Sequence, residues 1–296
     1  MNLEGGLGDF FRELLDGEYR EFVDACSKPQ RRSFRVNTLK SDLGVAKGFD
    51  GEPISWCSTG FFTDSLVSDS VEHFTGQVYL QEAASMLAAE VLAPCVGDTV
   101  LDLCAAPGSK TTQISVMMKN TGCVIANEPD FKRLKSLRFN LNRMGVVNAV
   151  VTNMDGRLFP DKILFDKILL DAPCSNLGQI RENPHAAEIW SPSHVKKCSN
   201  LQKKLIDAGY KSLKKDGVLV YSTCTFTPEE NEEVVDYAIQ KYDLVCEKVR
   251  ADIVHTPGLH RWGKNKFHED VGNTMRVYPH QNNTGGFYVA RLKKWW

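Results

Sequence analysis

From residue 98 onward, short apolar runs alternate with amphipathic stretches in a steady cycle. The runs at 98–104, 122–127 (GCVIAN), 148–152, 164–170 (LFDKILL) and 217–224 (GVLVYSTC) read as strands. The stretches at 109–119, 130–144 and 194–214 carry their apolar residues at helical spacing. Another helix is expected to open at Thr227-Pro228-Glu229-Glu230, where a first-turn proline followed by acids suits a helix start. The repetition predicts an α/β fold with a mostly parallel, doubly wound sheet. GFYVARL at 286–292 is expected to close it as an antiparallel hairpin with 243–249. Upstream, residues 8–27 place Phe10, Leu14, Leu15, Tyr19, Phe22 and Val23 at helical spacing, and Ser33 to Thr38 alternates as a strand. Residues 51–75, with Trp56, Phe61 and Phe62, read as short strands and turns, and VYLQEAASMLAAEVL after Gln77 is helical in period. A boundary near 75–80 divides a small α+β module, residues 1–75, from a large domain, residues 76–296.

Composition narrows this picture. With 42% hydrophobic and 25% charged residues, 296 residues can bury a real core. No apolar run approaches the ~20 residues of a membrane span, and MNLEGGLGDFFRELLDGE lacks the basic and apolar regions of a secretion signal. A soluble, cytoplasmic, monomeric protein is expected. Nine cysteines, with no C-x-x-C pair and no zinc spacing, point to reduced thiols. His185, His194, His255, His260, His268 and His280 show no metal spacing either, so no metal is expected. A net charge of −1 confines any nucleic-acid site to a local patch. Lys28, Arg31, Arg32 and Arg35, with Phe34 interleaved, suit an edge that contacts phosphates, and equally a solvated turn. Lys196, Lys197, Lys203, Lys204 and Lys211 recur along one helical stretch and read as a solvated face.

The chemistry gathers around DTVLDLCAAPGSKTTQ, residues 98–113, a strand, a tight small-residue turn and a helix. Pro107 fixes φ, Gly108 permits close approach of a ligand, and Ser109 is placed to cap the helix. The turn has neither the GxGxxG of a dinucleotide site nor the Gly-Lys-Ser/Thr of a P-loop. In a doubly wound sheet ligands gather beyond the carboxyl ends of the strands. Glu128 ends the second strand, where an acid can accept ribose hydroxyls, and Asp155 follows the third, placed for an adenine amino group. A nucleoside cofactor without phosphates fits this set, and S-adenosylmethionine is the expected one. The fourth strand ends in Asp171-Ala172-Pro173-Cys174-Ser175 and the fifth in Ser222-Thr223-Cys224-Thr225. Two cysteines at the tips of adjacent strands suit nucleophilic chemistry on a pyrimidine. Thiolate addition at carbon 6 makes carbon 5 able to take a methyl group, an acid such as Asp171 can hydrogen-bond N3, and a base must then remove the carbon 5 proton.

These motifs resemble the RsmB/Sun-type (NOL1/NOP2/Sun) family of RNA cytosine-5 methyltransferases. FRVNTLK, LQEAASM, DLCAAPGSKTT, NEPD, NRMG, NMDGR, DAPCS, VYSTCTFTPEENE and TGGFYVARLKK carry the resemblance along nearly the whole chain. It implies a Rossmann-like methyltransferase domain preceded by a small RNA-recognition-like module. It also implies methylation of a cytidine in transfer or ribosomal RNA, with the shortness of the chain leaning towards transfer RNA. By the same resemblance Cys104, Ala105, Ala106, Pro107, Gly108, Ser109, Lys110, Glu128, Arg133, Asp155 and Asp171 match the cofactor motifs. Cys224 matches the attacking thiol and Cys174 the one that assists release. Asn176 stands where many relatives carry glycine, and Arg181, Asn183-Pro184 and Trp190 resemble the segment that follows. Substrate choice is expected to rest on residues 1–75 and surface loops. The competing readings are a non-catalytic RNA-binding protein on this fold, a methyltransferase with another acceptor, and a nicotinamide oxidoreductase.

Overall fold

A computed structural model describes residues 5–295; residues 1–4 of the expected module and residue 296 of the expected large domain lie outside the described residues. The first sheet joins β1 (Arg32–Val36), β2 (Glu52–Ile54), β3 (Cys57–Thr63) and β4 (Val78–Leu80), antiparallel in the order β2-β3-β1-β4. Phe34, Val36, Phe49, Phe61 and Val78 form its core.

The second sheet is built from β5 (Thr99–Asp102), β6 (Cys123–Asn127), β7 (Ala149–Thr152), β8 (Phe165–Asp171) and β9 (Leu213–Thr223), parallel in the order β7-β6-β5-β8-β9. Beyond them come β10 (Val245–Glu247), β11 (Thr256–Pro257), a hairpin of β12 (Arg261–Trp262) and β13 (Asn265–Lys266), β14 (Met275–Val277) and β15 (Phe287–Lys293). Strand β15 runs antiparallel to β9 and carries β10 and β14 on its other edge. Side chains alternate across a strand, so both faces of a buried sheet must be apolar. Leu101, Ile168 and Leu170 face Leu205 and Ile206 on one side. Val100 and Leu169 face Ile114 and Leu87 on the other. Helices on both faces explain why these strands read as unbroken apolar runs. The strand order turns back on either side of β5, which opens a crevice between the loops after β5 and β8.

Several local expectations change in the fold. The stretch 8–27 is two helices, Gly5–Leu15 and Tyr19–Ser27, broken at Asp16, whose φ is +44°. Phe11 and Phe22 pack on Leu177 and Phe226 of the large domain rather than on the small sheet. The stretch after Gln77 starts as β4, because Val78 and Leu80 pair with β1, and the helix begins only at Leu87. The small sheet thus takes in residues beyond 75. The helix expected at Thr227 begins at Glu232. Before it, Thr227 donates to Glu230 and Thr223 to Asn231, so side chains hold a turn there. Strands β10 and β15 pair as expected but form no hairpin, with β14 between them in sequence. Ser109 is the first helical residue, and Gly108, at φ +102°, holds the cap position without a side-chain bond.

Arg276 and Glu232, both buried, form an ion pair that ties β14 to the helix at 232–242, and Arg276 also donates to the carbonyl of Phe226 at 3.0 Å. Among the described residues no helix is long and apolar enough to cross a membrane. All nine cysteines are free thiols.

Candidate active site

The carboxyl ends of β5, β8 and β9 open into one cavity of about 670 Å³. Strand β5 delivers the chain into the turn Ala105–Gly108, anchored where the Ala105 N–H donates to the Asn127 carbonyl at 2.8 Å. Cys104, Ala105, Ala106, Pro107, Ser109 and Lys110 line the cavity. Gly108 instead faces the next helix, where a Cβ would lie 3.1 Å from Leu137 Cδ1.

Asp102, the last residue of β5, reaches the cavity from beneath this turn. Its Oδ2 accepts from Thr111 Oγ1 at 2.7 Å, while Oδ1 is buried without a hydrogen-bond partner. Burial pushes its carboxyl up to about 7, helped by Asp171 and opposed by the Thr111 hydroxyl, Lys110 and the Cys104 N–H. An orphaned carboxylate oxygen on a residue that lines a cavity marks a place for a donor, and a cationic one suits it best.

Opposite the cradle, Asp171 ends β8. Lys110 Nζ donates to its Oδ2 at 2.7 Å and Ser222 Oγ to its Oδ1 at 2.8 Å, so the carboxylate is held at both oxygens. Burial alone would lower the Lys110 ammonium, but the adjoining carboxylate outweighs it and the net shift is upward.

The adjacent parallel strands β8 and β9 bring the two predicted cysteines together, with Cys174 Sγ 3.4 Å from Cys224 Sγ. Cys174 is buried and Cys224 partly exposed, and both line the cavity. The hydrogen bond to Cys224, and then burial, hold the Cys174 thiol well above the usual range. The two loops are stitched to each other. Ser175 Oγ and Thr225 Oγ1 are 2.7 Å apart, and the Gly178 N–H donates to the Cys224 carbonyl at 2.9 Å. Glu230, fully buried, accepts from the Ser175 N–H, Gln202 Nε2 and Thr227 Oγ1 at 3.0, 2.9 and 2.8 Å. The tail seals this from behind, for a Cβ on Gly178 would lie 2.3 Å from the Gly286 carbonyl oxygen. The paired glycines of TGGF permit that approach.

Besides Gly108, two more of the predicted cofactor residues are not on the cavity wall. Glu128 is buried at the end of β6; its Oε1 accepts from the Asp130 N–H at 2.8 Å, and Oε2 lies 3.3 Å from Arg133 without a hydrogen bond. Arg133 does line the cavity and donates to the Ala106 carbonyl at 2.6 Å. Asp155 sits on the turn after β7 and is engaged by Arg157, whose hydrogen bonds hold its carboxyl below the usual range. Of the basic segment, Arg35 is fully buried, not at an edge. It donates to Gln81, to the Ser109 carbonyl and to Thr112, and so braces the cradle helix from the small sheet. Phe34 is buried too. Lys196, Lys197, Lys204 and Lys211 lie exposed along their helix. Among the described residues no cluster with metal-binding geometry occurs.

The sequence reading missed Asp102, Glu230 and the position of Asn176. An acid at the end of an apolar strand was a visible signal for Asp102. Glu230 was hidden by its place among helix-start acids.

A doubly wound sheet, a phosphate-free cradle at the switch point and an adjoining thiol pair define a methyltransferase of the Rossmann-like class. The chain matches the domain described as 16S rRNA methyltransferase RsmB/F over residues 89–293, and the N-terminal domain of 16S rRNA methyltransferase RsmF over residues 9–83. It belongs to the RsmB/F methyltransferase family, the Sun/NOP2 group. It is 44% identical to the tRNA (cytosine(49)-C(5))-methyltransferase of Pyrococcus abyssi, covering 96% of this chain and 94% of that protein. It is 39% identical to the ribosomal RNA small subunit methyltransferase F of Aliivibrio fischeri, covering 93% of this chain but 60% of that protein. The crystal structure of NSun6 from Pyrococcus horikoshii with SFG superposes with a TM-score of 0.84 at 26% identity, covering 99% and 98% of the two chains.

Proposed function

We propose that this protein methylates carbon 5 of a cytidine in RNA through a covalent bond between Cys224 and carbon 6. The observation that carries the reading is the pair of thiols 3.4 Å apart on a cavity wall, beside a carboxylate held by a lysine. Relatives named as cytosine-C5 methyltransferases of tRNA and rRNA support it.

S-adenosylmethionine is the proposed methyl donor and supplies a methyl group activated by a sulfonium. The residues fit it. The unpartnered Asp102 Oδ1 suits the ammonium of its amino acid half, and the turn leading into the helix Ser109–Met117 suits the carboxylate. Glu128 is proposed for the ribose hydroxyls and Asp155 for the adenine; both lie off the cavity wall here, each engaged by an arginine, Arg133 and Arg157, that would turn aside to admit them. SFG, the molecule in the NSun6 structure, is an analogue of this donor.

The target base must be unpaired or flipped to reach the cavity. Cys224, the more exposed thiol, adds to carbon 6. Asp171, oriented by Lys110 and Ser222, takes the Cys224 thiol proton and donates it to N3, which neutralises the charge that develops on the ring. After methyl transfer Cys174, its own proton lost to solvent, takes the carbon 5 proton, and that C–H pair re-forms the carbon 5–carbon 6 double bond. N3 returns its proton to Asp171, and Cys224 leaves with the carbon 6–sulfur pair as a thiolate. Once the Cys224 sulfur is bonded to carbon, it no longer shares a proton with Cys174, the largest of the causes that hold Cys174 protonated.

The N-terminal module is proposed to guide the RNA. A groove of about 300 Å³, lined by Arg31, Arg32 and Ser33, runs into the cavity past Gln30, Leu80 and Glu82. Transfer RNA is the favoured substrate, because the tRNA enzyme matches this chain over almost the full length of both. Incubation with S-adenosylmethionine and unmodified tRNA or small-subunit rRNA, followed by bisulfite sequencing, tests this. One protected cytidine in tRNA is expected. Protection only in rRNA would move the substrate, and donor binding with no methylation of either RNA would overturn the reading.

The Asp102 assignment predicts a pH dependence of donor affinity. Only the ionised carboxylate pairs with the ammonium, so affinity should rise roughly five- to tenfold between pH 6 and 7.5 as a group near 7 ionises. Stability should move the other way. The folded chain keeps a proton that the unfolded chain sheds near its ordinary value of 3.8, so this group's contribution declines as pH rises from about 4 to about 7. Calorimetric titration at the two pH values checks the first effect, and Asp102→Asn should bind weakly and lose the dependence.

A further inference from the structure

Asn176 occupies a backbone position that glycine also suits, with φ +60° and ψ +20°. Unlike glycine, it carries an amide, and that amide lies among the reacting groups. Cys224 Sγ donates to Asn176 Oδ1 at 3.1 Å, and Cys174 Sγ lies 3.5 Å from the same oxygen. With the sulfurs 3.4 Å apart, the three atoms form a triangle on the cavity wall. The backbone that holds the amide there is fixed on both sides. Ser175 is bonded to Thr225 and Glu230, and the Asn176 carbonyl accepts from the Gln179 N–H at 2.9 Å.

We propose that Asn176 is a positioning residue for Cys224, aiming its sulfur into the cavity and stabilising the thiolate by turning its amide to donate. The inference rests on the reading in which Cys224 attacks. In the thiol form the amide oxygen accepts one neutral hydrogen bond. In the thiolate form a half-turn of the amide presents an N–H, and a bond to an anion is roughly twice as strong as a neutral one. The other charged or titratable groups facing this sulfur are Cys174 from the loop after β8, Lys110 from the cradle helix with Asp171 behind it, and Glu230 behind Cys174. The variants below leave all of these in place.

The test measures alkylation of Cys224 by iodoacetamide against pH in the protein alone, resolved by peptide mass spectrometry, beside methylation kinetics. Asn176→Gly keeps the backbone and removes the amide. It should raise the alkylation midpoint by about half to one pH unit. It should lower kcat about tenfold, as a misaimed nucleophile does, with KM for RNA within about twofold. Asn176→Asp sets a carboxylate beside the sulfur and should raise the midpoint further. Asn176→Gln, whose longer arm shifts the amide, should not restore kcat. A Gly variant with the wild-type alkylation profile and kcat would overturn the inference, and so would an Asp variant that leaves the midpoint unmoved. If Cys224→Ala retains methylation, the reading of Cys224 as nucleophile fails on its own. If Cys224→Ala is inactive and the Gly variant behaves as wild type, only the role of Asn176 fails.

Discussion

Replacing Cys224 by alanine is expected to lower methyl transfer by roughly 10⁴-fold or more, the scale on which removal of a covalent nucleophile acts. The reason lies in the base. Carbon 5 of cytosine is a poor nucleophile until a thiolate adds to carbon 6, and the lysine and the second thiol on the cavity wall are not free to replace Cys224. Lys110 is held as an ammonium by Asp171, and Cys174 is buried and held protonated by its neighbour. The substitution should leave the fold intact, since Cys224 is partly exposed and its backbone contact to Gly178 is independent of the side chain. Radiolabelled methyl incorporation under single-turnover conditions, with donor affinity and melting temperature beside it, measures the effect. Methylation within tenfold of wild type would remove the covalent mechanism.

Cys174→Ala should lose turnover to a similar extent but leave a different trace. Attack at carbon 6 and methyl transfer proceed, whereas the carbon 5 proton has no acceptor, so the Cys224–carbon 6 bond cannot break. An RNA–protein adduct that survives denaturing gel electrophoresis should accumulate with Cys174→Ala, and none should form with Cys224→Ala. Both thiols line the same cavity, so the asymmetry tests their roles. Exposure favours Cys224 for approach to the base, and the raised Cys174 thiol favours a group that gives up its proton only after its neighbour has been consumed. An adduct with Cys224→Ala but not with Cys174→Ala would exchange the two assignments.

Much of this was legible in the order of residues. The central parallel strands announced themselves as apolar runs because both of their faces are covered, and the helices between carried their own period. The cradle was legible because proline fixes φ, glycine admits a positive φ and small alanines leave room, all of them local effects. The paired cysteines were legible because each ends a strand, and neighbouring strand ends in a doubly wound sheet face one crevice. Reading by period failed where distant partners decide local structure. Val78–Leu80 is a strand because β1 lies beside it, and Thr227–Asn231 is a turn because Glu230 is drawn inward to Ser175 and Gln202.

The sequence by itself determined the fold class, the cradle, the family and the identity of the two thiols. Each of these depends on local geometry or on motifs contiguous in the chain. Only the tertiary structure decided that the sulfurs stand 3.4 Å apart with an amide oxygen beside both. It alone turned Arg35 inward to brace the cradle and left Asp102 with a raised carboxyl and an unpaired oxygen. Distance, burial and desolvation arise from segments far apart in the chain, and no local pattern of residues encodes them.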